Sequence, residues 1–367
     1  MNEKTQPCTH CGAVHPRVNL TWMGSAELCP ECLQRYTVCC DCCGERIWMA
    51  NDYGTHYLHL CASCRANYVT CENCGALIPQ EDAHYNDEDE AYCDSCYERG
   101  YGGTIHNYSY KPEPIFYGDG PLYLGVELEV DEAGKDNINA VQALRAFNQE
   151  NVYGYVKSDG SLNDGFELVT HPCTLETHLQ QVPWRETLEA LRGMGYRSHA
   201  PGTCGLHVHV SRKALGKDVY EQEETIAKLL YIFERFWQEI LRFSRRTESQ
   251  INHWAARYGY KDRGEEILKE AKHGANGRYA CINLTNTDTI EFRVFRGTLK
   301  YNTVIATLQF VANLCRVAIS LPEYRIQEFS WPALIEALTQ DNCPELVQYL
   351  KERNLYVNEP VTAEREV

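Results

Sequence analysis

Four short stretches of this 367-residue chain set ionisable side chains into runs that are otherwise apolar. Side chains of a strand alternate between faces, so residues i and i+2 point the same way. In residues 123–131, YLGVELEVD, that rule puts Glu127 and Glu129 on one face and Val126, Leu128 and Val130 on the other. Neighbouring carboxylates repel each other unless a cation lies between them. The pair therefore points to a divalent-metal site. In LHVHV (206–210), His207 and His209 oppose Val208 and Val210. In IEFRVF (290–295), Glu291 and Arg293 oppose Ile290, Phe292 and Val294. In FELV (166–169), Glu167 points away from Phe166 and Leu168. One such strand has a plain explanation as a half-buried antiparallel strand with a wet face. Four together, restricted to Glu, His and Arg, do not resemble a solvent face, which more often uses Lys, Thr and Ser.

The elements that must position these residues can be read around them. Residues 99–121 are rich in Gly, Pro and Tyr without helical period and read as a linker. After the first strand, Ile138, Val141, Leu144 and Phe147 recur at helical spacing. SDGSL then brings Asp159 towards Glu167 if the two segments pair, although Asp and Gly there also suit a plain turn. A helix is expected over 174–194, ending at Gly193 or Gly195, and a long amphipathic one over 222–245. Cys204 reads as a buried structural cysteine, since nothing near it would activate a nucleophile. Residues 246–277 are polar with weak helical signal and are the candidate active-site lid. RYACINLTNTDTIEFRVFRGTL predicts two antiparallel strands with a turn at 286–288. A helix over 303–320 and a helical pair over 330–355, a C-terminal appendage, complete the chain.

The length allows about two or three domains. The net charge of −16 disfavours a nucleic-acid partner held through phosphates. No apolar run approaches 18 residues, so no membrane span is expected, and MNEKTQPCTHC lacks the pattern of a signal peptide. These point to the cytoplasm. There, paired Cys-x-x-Cys motifs mean metal rather than disulfide.

Fourteen of the 19 cysteines precede residue 97. They form an internal repeat: Cys8, Cys11, Cys29 and Cys32; Cys40, Cys43, Cys61 and Cys64; Cys71, Cys74, Cys93 and Cys96. Gly12, Gly44 and Gly75 follow the first pair of each unit, as a metal-binding knuckle requires. Four thiolates per unit fit closed, structural zinc, about three ions in all. Cys39 and Cys42 remain over; choosing Cys40/Cys43 keeps the glycine in place. Tyr36, Tyr68 and Tyr97 are expected to pack on the sites. Residues 1–100 hold six Lys or Arg against fifteen Asp or Glu, and each zinc–thiolate site adds further negative charge. The array therefore suits structure, or binding of a protein or substrate carrier, better than nucleic acid.

In order and spacing, GVELEV, SDGSLNDGFELVTHP, GLHVHV, RYACINL and TIEFRVFRGTL resemble the amidoligase family across about residues 121–320. That family is a branch of the carboxylate–amine ligases that include glutamine synthetase and glutamate–cysteine ligase. The resemblance implies an α+β fold, a mostly antiparallel sheet curved around a funnel with helices packed on it, behind the small zinc ribbons. It implies ATP and magnesium or manganese ions. Glu127 and Glu129 match carboxylates that hold separate metals, Glu167 a second-metal ligand, and Asp159 a position often occupied by glutamate. His207 and Glu291 match residues that share a metal, and His209 a position near the ATP phosphates. Arg278 and Arg293 match arginines that stabilise a phosphoryl group in transfer. Asn283 and Arg296 lie in the same motifs, as contacts to nucleotide or substrate. The expected organisation is 1–97 zinc units, 98–120 linker, 121–322 catalytic domain and 323–367 helical appendage. The expected reaction joins a carboxylate to an amine, either of which could belong to a peptide or protein. The alternatives are a metal-dependent hydrolase, which would use no ATP, and an inactive ligase-like zinc adaptor.

Overall fold

The computed structural model describes residues 5–86, 89–98, 103–273 and 277–357. The chain divides into two compact units, Met1–Gly103 and Thr104–Val367.

The first unit is a series of short antiparallel hairpins, among them Thr37–Cys39 with Arg46–Trp48 and Tyr68–Thr70 with Leu77–Pro79. The twelve cysteines fall into the three expected groups, each with its four sulfurs within 4.8 Å of one another. Three structural zinc sites fit these groups. Gly12, Gly44 and Gly75 have φ of +76°, +75° and +73°, and their N–H groups donate to the carbonyls of Cys8, Cys40 and Cys71. That left-handed turn is the knuckle, and only glycine takes it without strain. Burial pushes the Cys8 thiol up, but N–H groups of Cys11, Cys29 and His10 outweigh it and bring the pKa to about 6. Cys40 is drawn down to about 6, chiefly by the Cys61 N–H. A thiolate ready for metal is thus built into these units by backbone donors.

Tyr36 and Tyr68 pack on the first and second sites. Tyr97 does not: it is 43% exposed and stacks on His84 with centroids 4.3 Å apart. Cys39 and Cys42 are both exposed and belong to none of the three groups. At the third knuckle position, His10 Nδ1 lies 3.9 Å from Cys32 Sγ, and Asn73 Nδ2 donates to Cys96 Sγ at 3.3 Å. Cys42 occupies the same position in the second unit, beside the fourth ligand rather than as a ligand. Cys39→Ser and Cys42→Ser will therefore leave zinc content unchanged, whereas Cys40→Ser will remove about one ion from the three. Native mass spectrometry reads this directly, and loss of an ion from Cys39→Ser would shift the register by one residue.

The second unit is built on an open sheet of eight strands. They are β1 (Ile105–His106), β2 (Tyr123–Val130), β3 (Gly154–Lys157), β4 (Phe166–Thr170), β5 (Cys173–Thr174), β6 (Gly205–Ser211), β7 (Ile282–Asn283) and β8 (Thr289–Arg296). Their spatial order is β1-β3-β4-β2-β6-β8-β7, with β5 pairing the start of β2. All pairs are antiparallel except β1–β3. This is the expected α+β class.

The apolar face of the sheet carries Val126, Leu128, Val130, Leu206, Val208 and Phe292, all fully buried. It packs on helices α4 (Val219–Arg235), α5 (Trp237–Ser244) and α8 (Tyr301–Ser320), through pairs such as Phe233–Phe292 and Phe243–Phe295. Helix α8 carries an 18-residue stretch of mean hydropathy 1.5, long enough to cross a membrane, yet 83% of that stretch is buried. It is the central core helix, and Gln309 and Asn313 interrupt its apolar run. Helices α9 (Glu323–Gln327), α10 (Trp331–Leu338) and α11 (Pro344–Glu352) cover the segment expected as an appendage. They place Ile326, Leu334, Leu346 and Leu350 in the same core.

Helix α1 (Asn137–Phe147) forms as expected, capped by the Asp136 carboxylate on the Asn139 N–H. The helix expected over 174–194 is two: α2 (Leu175–Gln180) and α3 (Trp184–Gly193). Pro183 separates them, having no N–H to continue a helix. The helix expected over 222–245 breaks at Phe236 into α4 and α5. The candidate lid contains α6 (Glu248–Trp254) and α7 (Gly264–His273), with residues 274–276 outside the described residues. Ile251 and Ile267 are core residues, so much of this segment is scaffold. Its parts that face the cleft described next are Arg246 and Trp254.

Candidate active site

The other face of the sheet floors a cleft of about 830 Å³. Strand register brings its residues together. Glu127 lies opposite His207 across β2–β6, Glu129 opposite Glu167 across β2–β4, and Glu291 opposite both His209 and Asn283. A β-bulge sets Arg293 and Val294 of β8 against His207 alone, between the pairs Leu206–Phe295 and Val208–Phe292. The extra residue re-aims the strand where Arg293 enters the cleft, as bulges near active sites do.

Glu129, Glu167, His207 and Glu291 are buried, and Glu127 is half-buried. His207 Nδ1 is 3.2 Å from Glu127, 3.8 Å from Glu129 and 3.6 Å from Glu291. Two sets of ligand atoms lie within 4.8 Å of one another: Glu127, His207 and Glu291, and Glu129, Glu167 and His207. The main chain is shaped to this cluster. The Gly205 N–H donates to Glu129. A side chain at 205 would meet His207 Nε2 at 2.3 Å and Arg246 Nη2 at 3.0 Å.

The electrostatics are those of a cation site. Burial, and then the Glu127 charge, holds the Glu167 carboxyl well above the usual range, and Lys157 only partly offsets them. Burial likewise raises Glu129. Burial would also raise Glu127, but the neighbouring His209 and His207 outweigh it and hold that carboxyl well below the usual range. Burial opposes protonation of His209, and the Glu127 charge overcomes it. Oxygen-rich ligands with one imidazole suit magnesium or manganese. Around them stand donors without partners: Arg293 Nε, and Nε and Nη1 of Arg246, are buried and make no hydrogen bond. These residues fit a divalent metal with an anionic ligand beside it.

A carboxyl whose pKa is raised by folding lets the native state bind more protons than the unfolded one, so its ionisation lowers stability. For Glu167 that loss grows as pH rises from the unfolded carboxylate range to the raised folded pKa. Glu167→Gln should therefore raise the melting temperature of the metal-free second unit near neutral pH. Each kcal/mol is worth about 2–4 °C in a unit of this size. The same variant should gain less stability from added magnesium than the wild type. Scanning calorimetry with and without magnesium reads both, and a lower metal-free melting temperature would contradict the crowding.

Of the residues singled out from the sequence, Glu127, Glu129, Asp159, Glu167, His207 and His209 line the cleft. So do Arg278, Asn283, Glu291 and Arg293. Asn283 Nδ2 donates to Glu291 at 2.8 Å, and Arg293 pairs with the other oxygen of Glu291. Arg278 donates to the hydroxyls of Tyr108 and Tyr279. Asp159 stands in the wall outside both ligand sets, and its Oδ1 accepts from the N–H and hydroxyl of Ser161, closing a turn. Arg296 does not line the cleft; it lies beyond the bulge near Arg245 and His199.

Three contributors were missed. Lys157 reaches Glu167 at 3.4 Å, and its alternation with Tyr155 and register with Glu167 were a usable signal. Arg246 is 6% exposed, and burial brings its pKa to about 10. Nothing local marks it, since it follows a helix end. Asp131 accepts from the N–H groups of Asn163 and Asp164 and from the Thr203 hydroxyl, and so holds the loop that carries Asp159.

Residues 145–315 match the model of a family described as "Putative amidoligase enzyme". No curated protein matches the chain. Among solved structures, a bifunctional glutathione synthetase from Pasteurella multocida is similar at 15% identity and TM-score 0.31, over 63% of this chain and 46% of that one. The complex between the prokaryotic ubiquitin-like protein Pup and its ligase PafA is similar at 11% identity and TM-score 0.28, over 66% of this chain and 60% of that one. The chain thus spans about half the length of these structures. The matched segment, residues 145–315, holds β4, β6, β7 and β8 with their site residues.

Proposed function

We propose that the second unit is an ATP-dependent carboxylate–amine ligase. The observation that carries it is the convergence of Glu127, Glu129, Glu167, His207 and Glu291 beside arginine donors that have no partner. Glu127, His207 and Glu291 would hold one divalent ion, and Glu129 and Glu167 a second. When bound, such ions neutralise phosphate charge and align the transferred group. ATP is a substrate. Its γ-phosphoryl passes to an oxygen of the substrate carboxylate and ADP leaves. The amine nitrogen then attacks the acyl carbon, phosphate departs with that oxygen, and the amine gives up a proton.

The chain's own residues bind, orient and shield. Arg293, held by Glu291, offers its free Nε to the transferred group, where fixed positive charge lowers the barrier. Arg246 and Arg278, which also line the cleft, add charge. Trp254 and Tyr279 reduce access of water, which would otherwise hydrolyse the acyl phosphate. The substrate carboxylate and amine could each be carried on a peptide or protein, and the zinc unit would serve structure or hold such a partner. Free thiols and thiolate zinc sites suit the cytosol, where we place it.

The test needs no knowledge of the natural amine. Purified protein with ATP, magnesium and a panel of carboxylates, glutamate and glutamyl peptides included, is offered hydroxylamine. A hydroxamate that forms only with ATP and magnesium is expected. Amide hydrolysis without ATP, and no hydroxamate, would instead make the site a hydrolase.

A further inference from the structure

A second cavity, of about 860 Å³, opens on residues the ligase chemistry leaves unused. Its wall carries Arg192, Arg197, Arg245, Lys300 and Arg353, with Glu352 as the one carboxylate. Glu352 is already taken by Lys300, 2.8 Å away. The hydrogen bonds of the arginines go elsewhere. Arg197 donates to the carbonyls of Gly195 and Tyr196, Arg353 to that of Arg242, and Arg245 to those of Gly297 and Arg296. Arg192 makes no side-chain hydrogen bond or ion pair among the described residues. Four guanidinium charges therefore border one cavity without a neutralising carboxylate, in a chain of net charge −16. Such a concentration of one sign focuses the field on anions.

Two further observations point to a ligand. Arg245 Nε is buried and has no hydrogen-bond partner. Arg245 Nη1 also donates to His199 Nδ1 at 3.3 Å; burial and the charges of Arg296, Arg245 and Arg353 keep that imidazole below its ordinary pKa. Arg245 itself has φ +65°, a left-handed conformation uncommon outside glycine, at the end of α5. This turn sends consecutive arginines into different cavities, Arg245 into this one and Arg246 into the cleft.

We infer that this cavity binds a small phosphate-bearing molecule at a site separate from the cleft. Converging guanidinium forks match the oxygens of phosphate two at a time, which a single carboxylate ligand would satisfy only in part. The inference does not depend on the ligase chemistry.

Titration calorimetry on the full zinc-loaded chain with inorganic pyrophosphate, without added magnesium, tests it. Saturable binding is expected in the wild type, weakened about tenfold or more in the Arg192→Ser/Arg353→Ser variant. Binding should be kept in Arg293→Ala, which alters only the cleft. Arg192→Ser alone, at an exposed position, serves if the double variant does not fold. No binding at millimolar pyrophosphate, or binding lost in Arg293→Ala and kept in the arginine variants, would overturn the inference.

Discussion

Glu127→Gln should lower ATP-dependent turnover by about 10²–10³-fold while leaving the second unit folded, the range found when one charge-stabilising group is removed from a preorganised site. Glu127 stands at the centre of the cluster. His207 Nδ1 approaches one of its oxygens at 3.2 Å and His209 Nε2 the other at 3.1 Å. It is also the carboxylate that stays ionised while Glu167 is pushed towards protonation. The amide keeps shape and removes charge, so the variant separates electrostatics from packing. The magnesium concentration for half-maximal rate should rise as well, because one ligand set loses its charged oxygen. Steady-state rates over a magnesium titration give both numbers. A rate within about threefold of wild type, under half a decade of a group's usual worth, would remove Glu127 from the reacting centre.

Removal of zinc should unfold the first unit and spare the second. The buried residues around the first two sites, other than cysteines, are Met23 and Leu28, and Ile47 and Leu60. Around the third, among the described residues, Tyr92 clusters with the ligands and Ala91 beside it is also buried. Cores of one or two side chains cannot offset the entropy of ordering some thirty residues each, at about 1–2 kcal/mol per residue. Zinc binding in comparable small units is worth about 10–16 kcal/mol at neutral pH. Limited proteolysis after chelation should therefore cut throughout residues 5–98 and leave 104–357 intact, with protection restored by zinc. An uncut first unit would mean that its fold does not rest on metal.

The strand face of the site was legible because period-two alternation is local and register follows from burying Val126, Leu128, Val208 and Phe292 on one side. The zinc units were legible for the same reason, since spacing and a knuckle glycine are local features. Helix breaks at Pro183 and Phe236 were less so. Pro183 was an available signal, whereas Phe236 breaks its helix for packing reasons that no propensity expresses. The bulge opposite His207 could not be read, because it depends on which residues of two distant strands meet. It returns Phe295 to the apolar face beside Phe292 and sets Arg296 opposite Gly205, a switch of alternation within one motif. Arg246 escaped for a similar reason: its direction is set by a left-handed turn at Arg245, an uncommon state for a side-chain-bearing residue.

The most direct test of the central claim is thermal unfolding of the second unit within the full chain, with magnesium and a non-hydrolysable ATP analogue, in wild type, Glu127→Ala and Glu291→Ala. A ligand that binds only the folded state stabilises it by about 2.7 kcal/mol at a hundredfold excess over Kd. A magnesium-dependent rise in melting temperature that vanishes in both variants is the predicted result. No rise in the wild type at any metal or nucleotide concentration would contradict a nucleotide site on these strands.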